Sequence, residues 1–345
     1  MAAAMQIGVI TNPHSRKNRH RPDRVERVRE LVGDMGLVRQ TTDVEGIRPI
    51  MDEFVERGVR YWVSDGGDGT FHWMLNAGHD ALQARGGDGP RPLLVPTNGG
   101  TIDFVAKKAR IGGAADQIIK ALVAGVRADQ PFQTTTMSTL EVVGRRTGEN
   151  DSTFHRLGFA AALGGAGQHF FSKYYAEPTQ GPAAALKVIL KGATGIMGSL
   201  PGVRHLPVMP QRLKDYGMDL VAGTRARVVA DGREYRYPLL QGLHVGSIDV
   251  NLGAVRLFPF AREPRRLHVV VGAMTPLEIT WKWMFLAMGR PAPGRTWHEF
   301  PGDSMDVAAE DGDVLDPVID GELYHGFDRL EVRLGPEVTV PLIGS

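Results

Sequence analysis

Val63-Ser64-Asp65-Gly66-Gly67-Asp68-Gly69-Thr70 follows the apolar, aromatic run Val59-Arg60-Tyr61-Trp62-Val63 and precedes a predicted helix from Phe71 to Ala77. Strand, glycine-rich turn and helix in that order present backbone N–H groups to a phosphate. An Asp inside such a turn adds a carboxylate within reach of a metal ion held by those phosphates. Glycine and Asp are turn residues in any case, so the stretch alone is also compatible with a purely structural turn. Its place between a strand and a helix favours the phosphate.

Working outward, the same alternation repeats. Ile7-Gly8-Val9-Ile10 reads as a first strand that runs into the turn Thr11-Asn12-Pro13-His14-Ser15. The basic cluster Arg16, Lys17, Arg19, His20 and Arg21 follows, either a solvated loop or a contact for phosphate or a lipid headgroup. Residues 23–35 have helical spacing, with Val25, Val28, Leu31 and Val32 on one face. Residues 37–41 read as a strand and residues 47–57 as a helix ended by Gly58. Leu93-Leu94-Val95-Pro96 is a fourth strand, and residues 116–123 a further helix. This order predicts an α/β domain with a doubly wound parallel sheet, whose ligands sit at the carboxyl ends of the strands. The turns at Asn12, Asp68 and Thr101 all follow strands, which makes a nucleotide site the natural reading.

Beyond residue 130 the pattern changes. Residues 140–143, 227–230, 267–271 and 330–334 are strand-like and separated by turn clusters. A mostly β, sandwich-like second domain is expected, with helical inserts at 182–192 and 276–288. The expected division is 5–130 and 131–340, with the extreme C-terminal strand free to pack back on the first domain. The second insert interleaves aromatic and basic residues (Trp281, Lys282, Trp283), which suits either a membrane interface or packing on its own domain.

With 345 residues, the chain is long enough for two cores. The net charge of +1 gives no global basic field, so nucleic acid is not expected as a partner. Absence of cysteine excludes a disulfide framework and thiolate chemistry, and fits a reducing, cytoplasmic setting. No run of 18 apolar residues is present, so no transmembrane helix is expected and any membrane contact would be peripheral. No two histidines stand at His-x-x-x-His spacing, so zinc is not indicated.

Gly66-Gly67-Asp68-Gly69-Thr70 resembles the signature of the diacylglycerol kinase catalytic domain family, which includes bacterial lipid kinases and the sphingosine and ceramide kinases. Asn12-Pro13-His14-Ser15 resembles that family's Asn-Pro-x-Ser-Gly turn. Gly100-Thr101-Ile102-Asp103-Phe104-Val105-Ala106 resembles its Gly-Thr-x-Asn-Asp-Phe-Ala segment, and Asp320-Gly321-Glu322 the Asp-Gly-Glu of its second domain. The resemblance implies ATP and an acceptor lipid held in a cleft between the two domains, with Mg²⁺. By it, Asn12, Ser15, Thr41, Gly66, Gly67, Asp68, Gly69, Thr70, Gly100 and Thr101 would hold nucleotide. Asp68 would lie near the metal, and Glu322 would be the general base that takes the proton of the lipid hydroxyl. Asp103, Asp129 and Asp320 are further acidic candidates for the cleft. The lipid would be met at a membrane surface, and a homodimer is compatible with the pattern.

Two departures stand out. Arg16 replaces the glycine of the first motif, and the third motif lacks its Asn and is one residue short. They keep two other readings open: a phosphotransferase similar to NAD kinases acting on a soluble acceptor, which share Gly-Gly-Asp-Gly, and a non-catalytic homologue that binds nucleotide or lipid.

Overall fold

The computed structural model describes residues 5–87, 91–100, 103–179, 181–203, 209–251, 256–263, 265–288 and 290–343. The chain divides into two compact units, Met1–Met137 with Glu337–Ser345, and Ser138–Pro336.

The first unit is α/β. Its elements run β1 (Ile7–Thr11), α1 (Arg24–Val32), β2 (Gly36–Gln40), α2 (Ile47–Glu56), β3 (Tyr61–Asp65), α3 (Asp68–Gln83), β4 (Leu93–Pro96), α4 (Phe104–Lys108) and α5 (Ala115–Arg127). The strands lie side by side in the order β2-β1-β3-β4, all parallel, with Ile7 opposite Gly36 and Tyr61, and Tyr61 opposite Leu93. Every residue of β1 and β3 is buried. That is why these strands read as continuous apolar runs: helices cover both faces of the sheet. α1 packs with α5, and α2 with α3. The apolar stripes predicted from spacing are the buried ones: Val25, Val28 and Val32 in α1, and Ile50, Met51 and Phe54 in α2.

The second unit is mostly β. It comprises β5 (Thr134–Arg146, from Ser138 onward), β6 (Phe154–Gly158), β7 (Ala160–Gly164), α6 (Gly165–Tyr175), α7 (Pro182–Ser199), α8 (Gln211–Leu220), β8 (Ala226–Ala230), β9 (Arg233–Tyr235) and β10 (Gly242–Gly246). Then come β11 (Val250–Asn251), β12 (Arg256–Leu257), β13 (Leu267–Gly272), α9 (Pro276–Met288), β14 (Trp297–Gly302), β15 (Ser304–Ala309), β16 (Val318–Ile319), β17 (Glu322–Leu323) and β18 (Phe327–Pro341). One antiparallel sheet runs β14-β13-β10-β7-β16-β17. In the other, β5 pairs with β6 and β18, and β18 continues through β15 and β8 to β9. Phe159, Leu140, Leu157 and Phe327 fill its interior with no solvent exposure above 1%. The last residues of β18 belong to the first unit, where Thr339 pairs in parallel with Leu93.

Candidate functional site

β1 delivers the chain into Asn12. The Asn12 N–H donates to the Asp65 carbonyl (3.2 Å), and its side-chain Nδ2 donates to Thr70 Oγ1 (3.0 Å). The Asn12 turn is thereby tied to both ends of the glycine turn. Its Oδ1 accepts from His14 N at 2.8 Å, an Asx turn. Asn18, buried, donates Nδ2 to the carbonyls of Asn12 (3.1 Å) and Asp65 (3.0 Å).

Asp65 closes β3 and is fully buried. Arg24 from α1 grips it with a two-pronged ion pair, Nη2 to Oδ1 at 2.6 Å and Nε to Oδ2 at 2.8 Å, and also bonds Asp116 of α5. Burial alone would lower the Arg24 pKa, but the hydrogen bonds and charges of Asp65 and Asp116 outweigh it and raise it above its ordinary value. This charge pair fixes the floor beneath the glycine turn. Breaking such a buried pair by removing one partner costs about 3–5 kcal/mol.

Helix α3 begins at Asp68, three residues before the expected Phe71, because Gly67 is extended (ψ −167°) and Phe71 N already donates to Gly67 O. Asp68, Gly69 and Thr70 therefore occupy the first helical turn, where N–H groups lack intrahelical acceptors and the helix dipole is positive. Backbone meets backbone beside this turn. A Cβ at Gly67 would stand 2.7 Å from Gly100 Cα, and one at Gly99 would stand 2.4 Å from Gly66 O.

The Asp68 carboxylate has a defined structural task. Its Oδ2 accepts from Asp103 N (2.8 Å) and its Oδ1 from Phe104 N (2.9 Å), holding the start of α4. Asp103 is buried in the left-handed region (φ 52°) and accepts Gly100 N on Oδ1 at 2.8 Å. Burial raises the Asp103 pKa above its ordinary value, although the Gly100 N–H and the positive charges of Lys17, Lys107 and Arg16 oppose the rise. The charges of those three cations act on Asp103; Lys17 Nζ lies 3.9 Å from Asp103 Oδ2 and bonds the Asn98 carbonyl.

Ser15 Oγ is buried and has no hydrogen-bond partner among the described residues, so a polar acceptor is wanting at that turn. Thr41 is buried and uses its hydroxyl locally, donating to Asp43 O at 2.6 Å. Thr101 lies outside the described residues. Asp129 sits exposed in the turn after α5, in the left-handed region (φ 49°), with its N–H on Val126 O.

In the second unit, Asp320-Gly321 is the two-residue turn joining β16 to β17, with φ of 52° and 93°. Both central residues with positive φ is the type I′ geometry that Asp-Gly favours. Asp320 Oδ1 accepts from Phe159 N (2.8 Å) and Ala160 N (3.0 Å), so the turn is stapled to the β6–β7 junction. Glu322, half-buried, pairs across the hairpin with Ile319. The Tyr175 hydroxyl bonds the Gly321 carbonyl; loss of water and the charge of Glu322 raise the Tyr175 pKa. Burial raises Tyr324 likewise, with Glu322 and Asp320 adding to the rise. The Glu322 carboxylate is thus flanked by two phenols that stay protonated.

No curated protein sequence matches the chain at a significant level. Residues 6–130 match the model of the diacylglycerol kinase catalytic domain. The matched residues lie within the first unit. Over nearly the whole chain the fold is similar to that of a diacylglycerol kinase from Bacillus anthracis str. Sterne (13% identity, TM-score 0.53, covering 98% of this chain and 96% of that one). A second protein from that organism assigned as a diacylglycerol kinase gives 16% identity and a TM-score of 0.58, with 98% and 97% covered. Yeast NADH kinase, complexed with NADH, gives 10% identity and a TM-score of 0.50, with 98% and 83% covered. At such identities the likeness is one of fold.

Within the matched segment, Asn12, Ser15, Gly66, Gly67, Asp68, Gly69, Thr70, Gly100 and Asp103 fall on neighbouring, mutually bonded turns. Sequence reading passed over Arg24, Asp65 and Asn18. The signal was there: an Asp closing an apolar strand needs a buried partner, and Arg24 lies four residues before Val28 on the buried face of α1.

Proposed function

We propose that the protein is an ATP-dependent lipid kinase that transfers the γ-phosphoryl group to a hydroxyl of diacylglycerol or a related, sphingoid-type lipid. What supports the reading most is the Gly66–Thr70 turn at the start of the 16-residue α3 inside a diacylglycerol kinase catalytic domain. N–H groups of its first turn suit phosphate oxygens. The unpartnered Ser15 hydroxyl and the cations Arg16, Lys17 and Lys107 suit the same anion.

Phosphoryl transfer asks for positioning and charge neutralisation rather than covalent chemistry. The Asn12, Gly66–Thr70 and Gly100–Thr101 turns bind the phosphates, and Thr41 contacts the nucleotide. Glu322 takes the proton of the lipid hydroxyl as its oxygen bonds to the γ-phosphorus and the bond to the β-phosphate oxygen breaks, releasing ADP. The Asp68 carboxylate, which accepts the Asp103 and Phe104 N–H groups, is the residue that would offer a ligand to a Mg²⁺ held mainly by phosphates. No group of three or more metal-ligating side chains exists among the described residues, which fits a nucleotide-borne ion rather than a protein cage. Mg²⁺ when bound would neutralise phosphate charge.

The test is incubation with γ-labelled ATP and Mg²⁺, with vesicles containing diacylglycerol or sphingosine in one arm and NAD in the other. Label in the lipid is expected. Label in NAD instead would transfer the chain to the soluble-acceptor reading, and tight ATP binding without transfer to any acceptor would make it a non-catalytic homologue.

A further inference from the structure

Glu322 stands on a strand too short to hold itself. β16 and β17 have two residues each, pair as Val318–Leu323 and Ile319–Glu322, and β17 lies at the end of its sheet. Isolated hairpins far longer than this are marginal in water. The direction in which Glu322 points is therefore set by what grips the turn from outside. Asp320 supplies one grip through its bonds to the β6–β7 junction. Those bonds fix the first turn residue, whereas the peptide group that carries Glu322 is the next one along.

Helix α6 reaches that peptide group. Its start is bonded to the sheet side: Gly165 N donates to Thr224 Oγ1 at 2.8 Å and Ala166 N to the Gln241 carbonyl at 3.0 Å. Gln168 Oε1 then accepts Asp316 N at 3.3 Å, just ahead of β16. At the far end of this 11-residue helix, about 16 Å away at 1.5 Å per residue, the Tyr175 hydroxyl donates to the Gly321 carbonyl. A Cβ on Gly321 would stand 3.4 Å from the same hydroxyl oxygen, so the phenol lies against the turn itself. Phe171, stacked at 6.3 Å, and Tyr174, edge-on at 5.2 Å, hold the Tyr175 ring in place. α6 is thus a strut between the sheet and the hairpin.

The Gly321 carbonyl belongs to the same planar peptide unit as the nitrogen and Cα of Glu322. Gly321, with φ 93° and no side chain, resists rotation of that plane least. Anchoring the oxygen fixes the plane, and with it the Cα–Cβ direction of Glu322. A phenol suits this task, because burial and the neighbouring Glu322 charge keep it protonated and donating while the carboxylate is ionised.

We infer that Tyr175 is a positioning residue for Glu322: by bonding the Gly321 carbonyl it aims the carboxylate at the acceptor hydroxyl. The inference rests on the kinase reading, in which Glu322 is the general base.

The experiment compares the full chain with Tyr175→Phe, which keeps the ring and removes the hydroxyl. With γ-labelled ATP, Mg²⁺ and phosphatidylcholine vesicles containing diacylglycerol or sphingosine, kcat should fall roughly 3- to 10-fold, the effect of one lost neutral hydrogen bond. KM for ATP should not change, and the melting temperature should stay within about 3 °C. Tyr174→Phe, whose hydroxyl bonds the Gly181 backbone instead, should keep kcat. In the Glu322→Gln background Tyr175→Phe should cost nothing further, because a positioning residue acts through the group it positions. Without substrate, amide exchange of residues 319–323 should be faster in Tyr175→Phe by a similar factor. Additive losses in the double variant, a loss confined to KM, or unchanged exchange would each overturn the assignment. A wild type that labels no acceptor, or a fully active Glu322→Gln, sinks the kinase reading instead, and the exchange comparison then still decides whether Tyr175 holds the hairpin.

Discussion

Two Asp-Gly pairs, one in each unit, show how little a dipeptide says by itself. Asp68-Gly69 opens a helix, and Asp320-Gly321 turns a hairpin. Their carboxylates nevertheless do the same thing: each accepts two backbone N–H groups from a distant segment, Asp103 and Phe104 in one case, Phe159 and Ala160 in the other. What differs is the residue context. Gly66-Gly67 before Asp68 lets the chain leave the strand and bare the first N–H groups of α3, whereas Asp320 follows a paired strand and closes it. In the proposed reaction the acidic residue of the hairpin that acts is the next one along, Glu322.

The strongest challenge to this contrast is Glu322→Gln. It should cut turnover by about 10²–10⁴, the range for loss of a general base, with little change in ATP affinity or melting temperature; steady-state kinetics and thermal unfolding check both. Should Asp320→Ala rather than Glu322→Gln abolish turnover at unchanged stability, the roles would be reversed. Next comes Arg24→Met, which strands the buried Asp65 and should cost about 3–5 kcal/mol in chemical denaturation. Asp65→Leu in the same chain should return part of that loss.

Asp320→Ala leaves two N–H groups without their acceptor and should cost about 1–3 kcal/mol for each that stays dry. Asp68→Ala should show a similar stability loss and abolish turnover as well, because α4 and the Gly100–Asp103 segment lose their anchor. A smaller effect is expected of pH. Burial, helped by the charge of His244, pushes His268 down to about 3, and Phe260 N donates to its Nδ1, which only a neutral ring can accept. The unfolded chain, with an ordinary His pKa of about 6.5, binds the extra proton first. This contribution to stability is therefore complete above pH 6.5 and drains away as pH falls toward 3. Unfolding of His268→Gln should be less acid-sensitive than that of the wild type over that window.

Much of the first unit was legible because its physics is local. β1 and β3 are buried on both faces, so they read as unbroken apolar runs, and the helices show their buried stripes at the right period. The start of α3 was misjudged because Asp68-Gly69 carries turn chemistry that the helix tolerates in its first turn. The second unit hid more. β7 is Ala160-Ala161-Ala162-Leu163-Gly164, with no β-branched residue to mark it, and β10 begins and ends on glycine. α6 opens with Gly165-Ala166-Gly167 and was missed, as was α8. In the site, the glycine turn was visible, but the bonds from Asp68 to Asp103 and Phe104 span 35 and 36 residues, a pairing only the fold creates.

The return of Glu337–Ser345 to the first unit sets an order of events. Thr339 completes the ladder beside Leu93, and Val340 and Ile343 are buried there. A chain emerging from the ribosome makes β1 to α5 early, yet the edge of β4 must wait some 240 residues for its neighbour, and such distant pairings form slowly. During that interval β4 is an open strand edge, exposed to pairing with other chains. Maturation of the first unit is thus timed by synthesis of the unit that follows it, and nascent chains stalled within the second unit would be the aggregation-prone ones.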